Sequence, residues 1–325
     1  MGGIRSILPY GLCGSAYPSY CSAYGVAHYL PAQQRVKLHA AVPINGIDQW
    51  VGATGNDASQ PVLLFLHGGP GFSSRPYAKQ FIRHLKDDFI VVQWDQRETG
   101  ITKSWSPYPD SLTLDLLYAD TEAVVDYLRG RFHREKIYLV GYSWGNVLGT
   151  ELARTHPEWL HAYVNVSGLI DGHESDRRTL LWLEEQARLE DNPVALDALA
   201  ETKVPVTDWQ DIYQLRKWAA YYSEGRGAAA KYPEKLFQEW AARWLPVYLQ
   251  AAALDQRNRA RELDCPTYLF VGRKDYVAHH TLAEEYYALL SAPQKRLVWF
   301  DRGHDLPGDA KAFARELLRV RAVNR

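Results

Sequence analysis

Short apolar segments alternate with longer amphipathic ones through the first half of the chain. The segments at 62–66, 89–94, 138–141 and 162–166 are short and mostly apolar, as strands buried on both faces are. Between two of them, residues 113–130 repeat apolar side chains at helical spacing. Strands that alternate with helices predict a mostly parallel sheet covered on both faces, and therefore an α/β fold.

A long helical pattern replaces this alternation after Gly168. Residues 172–262 predict a block of helices that covers the carboxyl ends of the strands, where α/β sheets bind ligands. Strands resume at 267–271 and 296–300, so the helical block is inserted between two strands of one sheet. Most of its tryptophans are expected to form the core of the block itself: Trp182, Trp209, Trp218, Trp240 and Trp244.

The predicted organisation is thus a core in two parts, 31–171 and 263–325, with a helical lid at 172–262 between them. Residues 35–51 predict a hairpin at one edge of the sheet, with strands at 35–42 and 46–51 and a turn at Asn45-Gly46. Residues 1–30 show no sustained period and predict an N-terminal extension, to which we assign no function.

Composition and charge narrow the class of protein. The 325 residues have a formal net charge of -1 and no long basic run, so we expect no nucleic-acid partner. No apolar run approaches the ~20 residues that span a bilayer, and the amino terminus does not resemble a secretory leader, so we expect a cytoplasmic protein without membrane contact. Cys13, Cys21 and Cys265 lack metal-ligand spacing, which fits a reducing compartment.

A serine lies between two glycines where a predicted strand gives way to a predicted helix. In G-Y-S-W-G at residues 141–145, the glycines allow a sharp turn from which the Ser143 hydroxyl projects. The five-residue pattern also arises by chance, so the prediction depends on the strand before it and the helix after it. On this interpretation Ser143 is a nucleophile.

A second glycine-rich turn follows the predicted strand at 62–66. The run H-G-G-P-G at 67–71 can aim backbone N–H groups at a nearby oxygen, which is how half of an oxyanion hole is built. We assign this role to the N–H of Gly69 together with the N–H of Trp144. The alternative for this stretch is a plain turn.

A histidine and an aspartate follow the last two predicted strands. His304 could accept the Ser143 proton and pass it to the leaving group, and Asp275 would hold the imidazole in the required tautomer. The order serine, acid, histidine is the one expected for an α/β hydrolase. We therefore predict a catalytic triad of Ser143, Asp275 and His304.

Three other aspartates could take the place of Asp275. Asp171 follows the strand at 162–166, and Asp301 and Asp305 flank the histidine. Asp275 is preferred because it lies one strand and one helix before His304, whereas Asp171 lies where the helical block departs.

These motifs resemble the α/β-hydrolase superfamily, and within it the proline iminopeptidase branch of serine aminopeptidases. The resemblance is carried by L-H-G-G-P-G at 66–71, W-D-Q-R at 94–97, G-Y-S-W-G at 141–145, G-R-K-D-Y at 272–276 and W-F-D-R-G-H at 299–304. It implies an α/β-hydrolase fold, a small-molecule or short-peptide substrate and hydrolysis without a cofactor or metal. It also implies that acidic residues of the lid bind the free amine of the substrate.

The chain departs from this branch at two places. Glu98 replaces the first glycine of D-Q-R-G-x-G, which could place an extra carboxylate near the site. The tryptophan-glutamate pair of the peptidase lid is missing, since Ala241 follows Trp240 and Leu245 follows Trp244. The remaining candidates for binding the substrate are acidic: Glu98, Glu184, Glu185, Glu224 and Glu239.

The sequence therefore predicts a serine hydrolase that forms an acyl-enzyme and removes the N-terminal residue, of proline type, from small peptides or amides. Two alternatives stay open: a carboxylesterase or amidase acting on small molecules, and a ligand-binding protein that keeps the fold without turnover. The sequence gives no indication of the oligomeric state.

Overall fold

The computed structural model describes residues 34–324, so the predicted extension at 1–30 lies outside the described residues. Within them, eight strands form a single sheet: β1 Val36–Ile44, β2 Ile47–Gly55, β3 Val62–Leu66, β4 Ile90–Trp94, β5 Ile137–Tyr142, β6 Leu160–Val166, β7 Thr267–Gly272 and β8 Lys295–Phe300. Their order across the sheet is β1-β2-β4-β3-β5-β6-β7-β8. The pairs β1–β2 and β2–β4 are antiparallel and the others parallel, which confirms the predicted mostly parallel sheet.

Helices flank this sheet in the described part of the chain. They are α1 Arg75–Ile82, α2 Gly100–Trp105, α3 Leu114–Phe132, α4 Gly145–Thr155, α5 Gly172–Leu189, α6 Pro193–Ala200, α7 Trp209–Glu224, α8 Glu234–Ala252, α9 Gln256–Arg259, α10 His280–Leu289 and α11 Ala310–Val323. Short 3-10 turns occur at Pro157–Trp159 and Arg226–Lys231.

The central strands are buried on both faces because their side chains point alternately to two apolar layers. In β3, Leu63 and Phe65 belong to the layer that α1 and α11 cover. There Phe81 and Phe313 pack edge to face, with ring centroids 5.5 Å apart. Leu64 belongs to the opposite layer, with α3 and α4. The all-apolar run that predicted β3 thus reflects its place in the middle of the sheet.

The predicted hairpin lies at one edge of the sheet, as expected. β1 and β2 pair from Val36 with Gly55 to Ile44 with Ile47. The two turn residues, Asn45 and Gly46, both have positive φ, at 43° and 86°. Such a two-residue turn matches the right-handed twist of the strands it joins. Both strands extend beyond the predicted ends, and the added part of β2 pairs with β4.

The helices α5 to α9 lie between β6 and β7 in sequence, and we call residues 172–259 the helical insertion. β6 and β7 are direct neighbours in the sheet, so the insertion leaves and returns at adjacent strands. Its two ends meet, since the Gln256 N–H donates to the Ile170 carbonyl at 2.8 Å. Among the helices of residues 34–324, none combines the length and apolar character needed to cross a membrane.

Three tryptophans of the insertion pack against loops that follow strands of the sheet, and one of them, Trp182, stacks on the ring of Tyr276 with centroids 3.5 Å apart. Trp240 Nε1 donates to the Pro70 carbonyl at 2.9 Å. The Trp244 ring lies edge to face with that of Trp144, with centroids 6.3 Å apart. They are exceptions to the expectation that the tryptophans form the insertion's own core. The physical reason is that a thin helical layer buries its inner face against the sheet beneath it.

Candidate active site

Three loops at the carboxyl edge of the sheet bring a hydroxyl, an imidazole and a carboxylate into contact. Ser143 follows β5, Asp275 follows β7 and His304 follows β8. Ser143 Oγ lies 2.9 Å from His304 Nε2, and His304 Nδ1 lies 3.0 and 2.9 Å from the two oxygens of Asp275. The distances suit a hydrogen-bonded relay in which Asp275 accepts from Nδ1 and Nε2 accepts from the hydroxyl.

The turn that presents Ser143 is strained and needs its glycines. Ser143 has φ +52°, in the left-handed region that side chains other than glycine rarely adopt. A Cβ at Gly145 would lie 2.2 Å from the Leu66 carbonyl oxygen, which is closer than atoms can approach. The pattern G-x-S-x-G therefore serves close packing of α4 against β3, and it leaves the serine at the tip of the turn.

Asp275 is fully buried and held by the backbone of its own loop. The N–H groups of Val277 and Ala278 both donate to Asp275 Oδ1 at 3.0 Å. These contacts fix the carboxylate against the imidazole of His304. They also hold the loop that follows β7 in place.

Two of the competing aspartates have other partners in the structure. Asp171 accepts from the Glu174 N–H at the start of α5 and from Arg257 Nη2 at 2.6 Å. Asp305 accepts from the Gly308 N–H at 3.0 Å. The structure therefore brings Asp275, and not these two, to the imidazole of His304.

Ser143 and His304 open onto a cavity of about 250 Å³ whose wall also includes Gly69 and Trp144. The Ser143 N–H donates to the Val166 carbonyl at 2.9 Å and is thus engaged. Trp144 is the N-cap of α4, where backbone N–H groups have no partner within the helix and the helix dipole is positive. The two residues predicted to form an oxyanion hole thus line the same cavity as Ser143.

The glycine-rich loop after β3 is held by buried polar contacts. His67 Nδ1 lies 2.9 Å from the Gly68 carbonyl, and the Gln96 N–H approaches His67 Nε2 at 3.3 Å. Burial lowers the pKa of His67, which favours the neutral imidazole. Gln96 also accepts from Trp144 Nε1 at 3.0 Å, so one glutamine links this loop to the turn that carries Ser143.

The helical insertion supplies the opposite wall of the cavity. Its lining residues are mostly apolar or aromatic, and one is charged: Ile212, Arg216, Tyr232, Phe237 and Trp240. Arg216 was missed by the sequence analysis. Its signal was a charged side chain on the apolar face of α7, in register with Ile212, Leu215 and Ala219.

Glu98 is buried away from the cavity wall. Its Oε1 accepts from the Tyr108 N–H at 2.6 Å, and its Oε2 lies 3.2 Å from Arg243 Nε on α8. Its φ of +57° is the conformation that a glycine would adopt easily at this position. Glu98 therefore joins the loop after β4 to the helical insertion.

The predicted acidic residues of the insertion also lie outside the set of described residues that line the cavity. Glu184 pairs with Arg188 at 2.8 Å on the surface of α5, and Glu185 is exposed. Glu239 pairs with Lys235 along α8. Glu224 is exposed at the end of α7, beside Gly303. Over residues 34–324, no group of three or more His, Cys, Asp or Glu is arranged to hold a metal ion.

A family model described as alpha/beta hydrolase fold matches residues 61–310, which is most of the chain. The chain belongs to the α/β-hydrolase family. The predicted fold class is thereby confirmed, and the match runs from β3 to the start of α11.

Curated relatives of this α/β hydrolase carry aminopeptidase names. A Bacillus subtilis protein named probable aminopeptidase YbaC is 23% identical over 313 residues, which is 89% of this chain and 98% of that protein. A proline iminopeptidase of Neisseria meningitidis is 38% identical over 105 residues, about a third of each chain. These comparisons relate the chain to the proline iminopeptidase branch, as its motifs predicted.

Solved structures share the architecture at low sequence identity. A proline iminopeptidase-related protein from Thermus thermophilus superposes with a TM-score of 0.59 at 21% identity, covering 90% of this chain and 98% of that one. A proline iminopeptidase from Mycobacterium smegmatis gives a TM-score of 0.60 at 18% identity, covering 88% and 98%. At these identities the likeness shows the fold alone.

Proposed function

We propose that this α/β hydrolase is a serine hydrolase that cleaves a small amide or ester through a covalent acyl-enzyme. The observation that carries the proposal is the unbroken line of contacts from Ser143 through His304 to Asp275 at the wall of one cavity. A nucleophile, a base and a group that orients the base are the parts that acyl transfer requires.

In the first step, Ser143 Oγ attacks the substrate carbonyl while His304 Nε2 accepts its proton. The carbonyl oxygen becomes an oxyanion, which the N–H groups of Gly69 and Trp144 stabilise. Asp275 stabilises the charged imidazole of His304. The imidazole then donates its proton to the leaving group. Water, activated by His304, attacks the resulting ester and releases the acid and free Ser143.

The helical insertion acts as a lid in this proposal. It closes the cavity over Ser143 with Trp240, Phe237 and Tyr232, which are largely apolar. Excluding bulk water strengthens the hydrogen bonds to the developing charge. The link from Trp240 to Pro70 couples the insertion to the loop that carries Gly69.

The first candidate reaction is removal of the N-terminal residue, of proline type, from small peptides or amides. The names of the curated relatives support this reaction. The strongest support is the name of the Bacillus subtilis protein, because the match covers 98% of that protein and 89% of this chain. The cavity of about 250 Å³ is smaller than the ~300–1,000 Å³ that is common for ligand pockets, so it suits a small acyl group.

One observation favours a carboxylesterase or amidase as a second candidate. The described wall that the insertion contributes presents a guanidinium, that of Arg216, and no carboxylate. An aminopeptidase must bind the ammonium group of its substrate, which an arginine does not complement.

A substrate panel tests the proposal and separates the candidates. We expect turnover of proline p-nitroanilide, alanine p-nitroanilide or p-nitrophenyl acetate, and a loss of kcat of about 10⁴-fold or more in Ser143→Ala. Ser104→Ala, at an exposed serine of α2, is the matched control and should retain activity. Turnover that survives Ser143→Ala, or a wild-type protein that hydrolyses none of the three, would contradict the proposal. The substrate with the highest kcat/KM identifies the candidate.

A further inference from the structure

The charged side chain in the wall of the insertion lies in a polar cluster of its own. Both terminal nitrogens of Arg216 lie 3.2 Å from Asp176 Oδ1, and its Nη2 donates to the Tyr248 hydroxyl at 2.8 Å. The three residues come from α5, α7 and α8. Three helices of the insertion therefore converge on this guanidinium and fix its position.

The two charges of this pair differ in their access to the cavity. Arg216 lines the cavity and its side chain is 10% exposed, whereas the Asp176 side chain is 1% exposed and does not line it. The other carboxylate oxygen, Asp176 Oδ2, is buried without a partner among the described residues. Arg216 thus reaches the cavity, and Asp176 supports it from behind.

The guanidinium keeps its charge and has donors to spare. Burial lowers the pKa of Arg216, but the neighbouring Tyr248 and Asp176 raise it by a larger amount, so the pKa lies above its usual value. Its contacts with described residues use three of the five N–H donors of an arginine. Two donors are left for a group in the cavity, where a charge-assisted hydrogen bond is stronger than in water.

We propose that Arg216 binds a carboxylate of the substrate, so that the enzyme selects small amides or esters that carry a free carboxylate near the scissile bond. The inference rests on the proposed serine hydrolase function and names its substrate class. The remaining wall of the cavity is largely apolar, so Arg216 is the natural partner for a charged group bound beside Ser143. In a cavity of about 250 Å³ that carboxylate lies only a few bonds from the reacting carbonyl.

The carboxylate can belong to either side of the scissile bond, and two pairs of substrates distinguish the sides. On the acyl side, the p-nitrophenyl monoester of glutaric acid is compared with p-nitrophenyl valerate. On the leaving side, the dipeptide alanyl-alanine is compared with its C-terminal amide. We expect the charged member of one pair to have a kcat/KM about 10–100-fold higher, mainly through a lower KM.

The variants address the pair as a unit. Removing Arg216 alone would leave Asp176 buried and unpaired, so the informative variant is Arg216→Met combined with Asp176→Leu, which removes both charges. In it, the ratio of charged to neutral kcat/KM should fall to about one. Arg216→Lys keeps a cation at this position and should retain part of the preference for the charged substrate. Lys217→Met removes the adjacent cation on α7, which does not line the cavity, and should leave the ratio and the activity unchanged.

A binding measurement separates failure of this inference from failure of the serine hydrolase proposal. Glutarate should bind Ser143→Ala about tenfold or more tightly than glutaramide, and the preference should vanish when Arg216→Met and Asp176→Leu are added. This readout needs no turnover. Equal kcat/KM within both substrate pairs, together with equal binding of glutarate and glutaramide, would overturn the inference even if Ser143 proves to be the nucleophile.

Discussion

The two walls of the cavity are built in different ways. On the sheet side, Ser143, Asp275 and His304 each follow the end of a strand within a few residues, so the local backbone positions them. On the insertion side, Arg216 and Trp240 depend on how helices pack on one another and on the sheet. The groups proposed for chemistry thus sit on short turns of a rigid sheet. The groups proposed for recognition sit on a packed helical layer.

The largest expected effect breaks the sheet wall at its orienting carboxylate. Asp275→Asn should lower kcat by about 10⁴-fold, because an amide no longer selects the imidazole tautomer that accepts the serine proton. The measurement is kcat on the best substrate of the panel. Asp171→Asn alters the rival aspartate, which pairs with Arg257, and should keep kcat within about threefold of wild type. A similar loss in both variants would contradict the assignment of Asp275.

The next effect concerns the stability of the insertion wall. Asp176→Leu leaves the Arg216 guanidinium buried without its carboxylate and should lower the free energy of unfolding by about 3–5 kcal/mol. Adding Arg216→Met should recover most of that loss, because an apolar pair of similar volume replaces a buried ion pair at little cost. Urea denaturation measures both. If the double variant is as unstable as Asp176→Leu alone, the two charges do not act as a pair.

The smallest effect tests the ion pair of Glu98 with Arg243, which connects the loop after β4 to the helical insertion. Glu98→Gln keeps the acceptor for the Tyr108 N–H but removes the charge that faces Arg243, so we expect a loss of about 1–2 kcal/mol in the free energy of unfolding. Its KM should stay within about twofold of wild type, because Glu98 does not line the cavity. Arg243→Gln should lose more stability, because the guanidinium also donates to the carbonyls of Tyr108, Pro109 and Asp110. A tenfold rise in KM with unchanged stability would instead indicate that Glu98 binds substrate.

The sequence predicted the sheet side well because its signals are local. A fully apolar strand such as β3 shows in the pattern because both faces are buried, and a glycine such as Gly145 is needed because a Cβ would collide with β3. The order of strands and the residues after each one then placed Ser143, Asp275 and His304 at the same edge. No long-range information was needed beyond the parallel sheet itself.

The insertion side could not be predicted in the same way. Which face of α7 meets the cavity depends on its packing against α5 and α8, so the sequence offered exposed glutamates and missed Arg216. A charged residue in register with the apolar positions of a helix was the signal that could have identified it. Glu98 was likewise expected near the site, but it contacts Arg243 instead. That contact joins residues 145 positions apart, so a local sequence pattern does not reveal it.

The central claim is that Ser143 is a nucleophile activated by its contacts with His304 and Asp275. The most direct measurement is the intact mass and peptide map of the protein after reaction with a fluorophosphonate. We predict one covalent adduct on Ser143, formed about 10³-fold or more slowly in Asp275→Asn because the base is then held in the wrong tautomer. No adduct, or an adduct on another residue that persists in Ser143→Ala, would contradict the account.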